Sequence, residues 1–357
     1  MSRPTRSVFL EYIWLDGNGC PRSKTRVLHL SNILVTLPDI PDWNYDGSST
    51  GQAETYRSEI LIKPVALYPD PFAKEYVVGV ESYLVLCETF VDGKPHSTNT
   101  RADAKAVFEK YEAQKPWYGI EQEFFIMNTK TGRPLGFPER ATDFPTKQGQ
   151  YYCSVGEESA KGRALVTKAF AYCVAAGLTV SGMNAEVAPG QWEIQIGPCI
   201  GIAAADQIYV LRYILKRTSE FFPGLGIDFH SKPVQSQDWN GSGAHTNFST
   251  EHMRSPHGNG TTDSTGYKVI QEAVAKLSHK HTAHLKVYGA DNHLRLTGKC
   301  ETSDMYTFSS GVGCRSASIR IPTQTEKEGC GYLEDRRPSS SCDPYLVTSI
   351  LLKSVME

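Results

Sequence analysis

The chain lacks any strong excess of one charge: Lys and Arg number 37 against 39 Asp and Glu, a formal net charge of −2. That balance removes the electrostatic footprint of a protein that coats nucleic acid or an anionic membrane, so neither is expected as a partner. Long apolar runs are also missing. No stretch approaches the roughly 20 residues needed to span a bilayer, and the opening MSRPTRSVFLEYIW has no apolar leader-type core. The nine cysteines are odd in number and form no C-x-x-C pair. A disulfide framework or zinc ribbon would need paired spacing, so reduced thiols and a cytoplasmic location are expected. Glycine loops for phosphate are absent as well. There is no G-x-x-x-x-G-K-S/T and no G-x-G-x-x-G after a strand, nor the H-E-x-x-H of a zinc hydrolase. Any phosphate this chain handles must be held by metals and arginines.

What is present is an ordinary globular composition, 40% hydrophobic and 21% charged over 357 residues, long enough for two moderate domains. The segment up to about residue 95 reads as strands: SVFLEYIWLD and KTRVLHL about a Gly17-Asn18-Gly19 turn, then YVVGVESYLVLCETFV. The polar break DGKPHSTNTRAD follows and sets a domain boundary between residues 97 and 98. Helical spacing marks ADAKAVFEKYEAQK, ESAKGRALVTKAFAYCVAAG, AAADQIYVLRYILKRTSEFF and GYKVIQEAVAKLSHKHTAHLKVYG. Short strands lie among them without strict βαβ alternation, which predicts an α+β fold.

The strand WYGIEQEFFIM puts Glu121 and Glu123 on one face and Ile120, Gln122, Phe124 and Ile126 on the other. Adjacent like charges repel unless a cation or a proton lies between them; a solvent-facing strip on an edge strand is the plainer alternative. In NAEVAPGQWEIQIG, a hairpin folded about Pro189-Gly190 would set Glu186 across from Glu193 among apolar neighbours. Clustered carboxylates of this kind suit Mg2+ or Mn2+. His245 in NGSGAHTNFS offers a nitrogen ligand or a merely structural imidazole, and Glu334 shares a strand face with Arg336 in YLEDRR. His279, His281 and His284 have metal-like spacing, but they read as a solvated helix face and are left out of the site.

Nine stretches together resemble the glutamine synthetase family of eukaryotic type: YIWLDGNG, SKTR, DWNYDGSSTGQ, YGIEQEFFIM, NAEVAPGQWEIQIGPC, DWNGSGAHTNFST, ADNHLRLTG, GCRSASIRIP and YLEDRRPSSSCDPY. They run in the family's order from about residue 12 to 345. The resemblance implies a β-grasp domain over residues 1–97 and an α+β catalytic domain over 98–357. It implies ATP-driven ligation of ammonia to L-glutamate through γ-glutamyl phosphate, and a decamer of two pentameric rings with sites shared between subunits. Glu123, Glu186 and Glu193 would hold the metal nearer glutamate and ammonium, and Glu121, His245 and Glu334 the metal that bridges the ATP phosphates. Arg315, Arg320 and Arg336 resemble the phosphate- and carboxylate-binding arginines, and Arg295 with Asn240 and Gly241 the glutamate pocket. Pro198, Ser249, Arg254 and Tyr332 match positions around the nucleotide. Asp46 resembles the carboxylate that binds and deprotonates ammonium, and Glu301 the one on the flap that closes the site. Two departures stand out: Glu59 replaces an aspartate expected to help bind ammonium, and Leu294 replaces an arginine beside the substrates.

Overall fold

The computed structural model describes residues 6–357, apart from 31–33, 77–78, 141, 146, 237 and 261–263. Val77 and Val78, read above as strand, fall outside the described residues. Among the described residues, fifteen strands form two sheets.

The first sheet uses β1 (Arg6–Leu15), β2 (Pro21–Leu30), β3 (Trp43–Asp46), β4 (Glu59–Pro69) and β5 (Glu81–Val91), with the short β6 (Lys94–Pro95) on β5. Their order is β2-β1-β5-β4-β3, with β1 and β5 parallel and the other pairs antiparallel. Period-two alternation in β1 sends Val8, Leu10, Tyr12 and Trp14 into a core with Ile60, Ile62 and Val85. Ile13 turns the other way and joins the larger core of the second sheet, together with Leu84 and Leu86. The turn at Gly17 needs glycine for space: a β-carbon there would sit 2.6 Å from the carbonyl oxygen of Gly51.

The second sheet uses β7 (Trp117–Asn128), β8 (Arg133–Pro134), β9 (Val180–Ala185), β10 (Gln191–Ile200), β11 (Leu225–Asp228), β12 (Ala244–Ser249), β13 (Ser310–Val312), β14 (Ile319–Ile321) and β15 (Leu333–Asp335). Its order is β13-β14-β15-β12-β7-β10-β9, with β8 and β11 at the far end of β7. The helices are α1 (Thr100–Lys110), α2 (Arg163–Ala175), α3 (Ala203–Ser219), α4 (Glu251–Arg254), α5 (Gly266–His279), α6 (His281–Leu285), α7 (Thr323–Glu328) and α8 (Pro344–Met356). α3 packs on β7 and β10, α2 on β9, and α8 on α1, α3 and α5.

β7 lies at the centre. Its even-numbered apolar residues Ile120, Phe124 and Ile126 enter the main core, and the odd-numbered Glu121 and Glu123 face the opposite side, as the alternation predicts. Gln122, also on the core side, is fully buried but satisfied: its amide donates to Glu123 O and Ser340 O, and its oxygen accepts from Arg212.

Three expectations need correction. The second helix begins at Arg163, not near residue 158, because Gly162 holds φ +82°, a left-handed backbone that cannot continue an α-helix. The long helical stretch after Gly266 divides at Lys280, whose φ −105° and ψ 11° break the helix and reorient α6. This reorientation overturns the solvated reading of the histidines: His281 and His284 are buried. They stay outside the carboxylate cluster, as expected, but they belong to the core.

Candidate active site and metal centre

The register of the second sheet lays polar side chains out in rows on its cavity face. In one row His245 of β12 is opposite Glu121 of β7, which is opposite Gln195 of β10. In the next, Glu123 of β7 is opposite Glu193 of β10, which is opposite Asn184 of β9. At the other side Arg320 of β14 is opposite Glu334 of β15, which is opposite Asn247 of β12. All nine are at same-face positions, so one surface carries the whole constellation.

Here the proposed hairpin register fails. Asn184, not Glu186, is opposite Glu193, and β9 ends at Ala185. The connection to β10 takes five residues, Glu186 to Gly190, closed by Glu186 N–H to Gln191 O and Gln191 N–H to Ala188 O. A two-residue Pro-Gly turn would have paired Val187 and Ala188 differently; the wider loop shifts the register. Glu186 still reaches the cavity, because it is two residues after Asn184 along the same face.

The cavity, about 330 Å3, is lined by six glutamates (Glu121, Glu123, Glu186, Glu193, Glu301 and Glu334) and by Arg295, Arg315, Arg320 and Arg336. Asn240, Gly241 and His245 complete the expected set. Among the described residues, Glu121, His245 and Glu334 can offer ligand atoms that all lie within 4.8 Å of one another. His245 Nδ1 is 3.4 Å from Glu121 Oε2 and 3.8 Å from both Glu123 Oε1 and Glu334 Oε1. Burial, then the guanidinium groups of Arg336 and Arg295, push the His245 pKa well below its usual value, so the ring is neutral.

The carboxylates shift the other way. Burial raises Glu121 and takes Glu123 to about 7. Burial, reinforced by the charge of Glu123, lifts Glu186 to about 8. Burial and then repulsion from Glu121, Glu123 and Glu186 bring Glu193 to about 9. Like charges crowded in a poorly solvated space create a demand for positive charge, and the oxygen-rich donor set with one imidazole fits hard divalent cations.

The arginines frame this cage. Glu334 accepts from Arg320 Nη1 at 2.8 Å and from Arg336 Nη1 at 2.6 Å. Arg295 is held by the carbonyl oxygens of Arg336 and Arg337 and donates to His245 Nε2 at 3.0 Å. At the mouth Arg315 is 3.6 Å from Glu301, while Arg336 donates to the backbone oxygens of both residues. Cys300 and Glu301 both take positive φ, 52° and 58°, which sets the segment at the mouth apart from the regular sheet below it.

A second, mostly apolar cavity of about 440 Å3 adjoins the first, and Pro198, Ser249, Arg254 and Tyr332 line it together with Trp117. The Arg254 guanidinium carbon is 4.0 Å from the centroid of the Trp117 ring. Asn247 belongs to this wall and donates to Glu121 Oε1 at 2.9 Å, so it connects the two cavities.

Asp46 and Glu59 are not among the residues lining either cavity. They pair opposite each other at the β3–β4 edge of the first sheet. Asp46 is exposed, and hydrogen bonds from the Ser48 hydroxyl and N–H hold its carboxyl below the usual range. Sequence reasoning missed Tyr152, Asn184, Gln195 and Thr302 in the cavity wall, along with Gln191 and Asn247 behind it. Asn184 and Gln195 are each two residues from a predicted glutamate, so the period-two rule that found the glutamates could have found them.

The family model described as "Glutamine synthetase, catalytic domain" matches residues 97–357. A provisionally named glutamine synthetase of Acanthamoeba polyphaga mimivirus is 51% identical over 351 residues, covering 98% of this chain and 94% of its own. Glutamine synthetase of Eremothecium gossypii is 46% identical, covering 98% and 89%. Glutamine synthetase N-1 of Phaseolus vulgaris is 45% identical, covering 100% and 96%. With its same-face carboxylates, its arginine frame and these full-length likenesses, the chain belongs to the glutamine synthetase family.

Proposed function

We propose that this chain is an ATP-dependent glutamate–ammonia ligase that makes glutamine, ADP and phosphate through γ-glutamyl phosphate. The observation that carries the reading is one sheet face bearing a buried carboxylate cage beside an apolar pocket, joined through Asn247. Glutamate's γ-carboxylate must approach the γ-phosphate of ATP, and both are anionic. Mg2+ or Mn2+ supplies the charge that cancels this repulsion. Glu121, His245 and Glu334 would hold the cation on the phosphate side, and Glu123, Glu186 and Glu193 the one on the glutamate side. Arg295, Asn240 and Gly241 seat glutamate. Arg315, Arg320 and Arg336 receive phosphate and carboxylate oxygens, and Pro198, Ser249, Arg254 and Tyr332 surround the base. Glu301, beside Arg315 at the mouth, closes over the acyl phosphate and excludes water.

The exposed pair Asp46 and Glu59 is read as the ammonium site of an adjoining subunit's cavity, with Asp46 taking the proton. That assignment goes with a decamer of two pentameric rings. The sheet order β2-β1-β5-β4-β3 supports reading residues 1–97 as a β-grasp domain ahead of a catalytic domain at 98–357. A cytoplasmic setting agrees with nine free cysteines and with no helix among the described residues long and apolar enough to cross a membrane.

The test is ADP release with glutamate, Mg2+ and either ammonium or a polyamine. Ammonium-dependent release that yields glutamine is expected; release that requires a polyamine and ignores ammonium would overturn the assignment. Particle mass in solution checks the shared site, since a monomer leaves Asp46 with no cavity to serve.

A further inference from the structure

Four of the five cage glutamates have one oxygen held by a neutral carboxamide. Asn247 Nδ2 donates to Glu121 Oε1 at 2.9 Å, and Gln191 Nε2 to Glu123 Oε2 at 3.1 Å. Gln195 Nε2 donates to Glu193 Oε1 at 2.7 Å, and Asn184 Nδ2 to Glu186 Oε1 at 2.9 Å. Glu334 is the exception, gripped by two arginines.

The chemistry of the donor matters. A guanidinium fixes a carboxylate but also neutralises it, so it competes with a cation for the same charge. An amide N–H fixes the carboxylate and leaves its full charge to the cation. The geometry is consistent with that role: with Oε1 held by Asn247, Glu121 turns Oε2 to 3.4 Å from His245 Nδ1. With Oε2 held by Gln191, Glu123 turns Oε1 to 3.8 Å from the same nitrogen. The sheet also makes room for the set. A β-carbon at Gly182 would lie 3.1 Å from the Gln195 amide oxygen, so glycine opposite Gln195 keeps that side chain free to turn.

We propose that Asn184, Gln191, Gln195 and Asn247 form a carboxamide frame that positions the cage glutamates for divalent cations without discharging them. The inference rests on the metal-cage reading above and assigns positioning, not catalytic, roles. Outer hydrogen-bond partners of metal ligands are typically worth about ten- to a hundredfold in metal affinity.

The experiment is Mn2+ binding to the nucleotide-free protein, followed by titration calorimetry and by the electron paramagnetic resonance of free Mn2+. The variants are Asn247→Leu and Gln195→Leu, which remove one donor each from different strands. About tenfold weaker Mn2+ binding is expected in each, with an unchanged thermal midpoint for the metal-free protein. Under assay, the Mn2+ concentration for half-maximal rate should rise in step for Gln195→Leu, with kcat at saturating Mn2+ within about twofold of the parent. Parent-like Mn2+ binding in either folded variant overturns the carboxamide frame. A parent protein that binds no Mn2+ overturns the metal cage itself, so the two failures are distinct.

Discussion

On one face of the chain at β15, Glu334 and Arg336 look into the cavity; on the other, Asp335 and Arg337 look into the core. The core pair is complete. Arg337 grips Asp335 with two hydrogen bonds of 2.9 and 2.7 Å, and Tyr288 adds a third at 2.7 Å. Arg337 also donates to His281 Nδ1, while His284 bonds Tyr288 and Ser354. Burial alone would raise Asp335, but the Arg337 guanidinium outweighs it and holds the carboxyl below its usual range. Burial, aided by Arg337, pushes His284 down to about 4, so it stays a neutral bridge. Across the sheet, burial acts on Glu123, Glu186 and Glu193 with too little compensation, and their values climb. Opposite shifts on the two faces distinguish charge already paired within the fold from charge left without a counterion.

The largest expected effect comes from the cavity face. Glu334→Ala should cut phosphoryl transfer, read as ADP release, by about a thousandfold while leaving particle mass unchanged. Full activity would remove Glu334 from the cage and dissolve the contrast.

On the core face, Arg337→Met strands a buried carboxylate and should cost about 3–5 kcal/mol in denaturant unfolding. The double change Asp335→Leu with Arg337→Met should lose clearly less than Arg337→Met alone, because no charge is left unpaired. If the double variant is worse than the single, the pair is not a self-contained structural unit.

Stability against pH sharpens the comparison next. Glu123, Glu186 and Glu193 stand at about 7, 8 and 9 in the fold against an ordinary 4.5. The folded chain therefore holds more protons than the unfolded one across that window. The contribution of these three groups to stability without metal is full below pH 4.5 and declines as pH rises toward 9. Mg2+ or Mn2+ should flatten the decline, read as denaturant midpoints with and without metal. A metal-free protein whose midpoint rises over that range would contradict the demand for positive charge.

The smallest effect is a gain. Glu193→Gln should stabilise the metal-free protein at pH 9 by roughly 1 kcal/mol, since it removes one repelling charge, while weakening Mn2+ binding. Destabilisation instead would place Glu193 with the structural charges.

Much of this site was legible in the residues. Alternation in WYGIEQEFFIM and YLEDRR assigned Glu121, Glu123, Glu334 and Arg336 to common faces, since strand geometry is local. The position of Glu186 was not legible, because turn length sets register and Pro189-Gly190 occurs within a longer connection. Nor was the fate of His281 and His284: helical spacing describes a face but not what covers it, and Arg337 is 53 residues beyond His284. The carboxamides went unnoticed because Asn and Gln carry no charge to draw attention, although their spacing matched the glutamates.

The sequence by itself determined the residue types, the strand faces and, through its ordered motifs, the family. Only the tertiary structure decided which faces meet and how deeply each charge is buried. Alternation is a property of a few consecutive residues, whereas register and burial depend on β7, β9, β10, β12, β14 and β15 packing side by side.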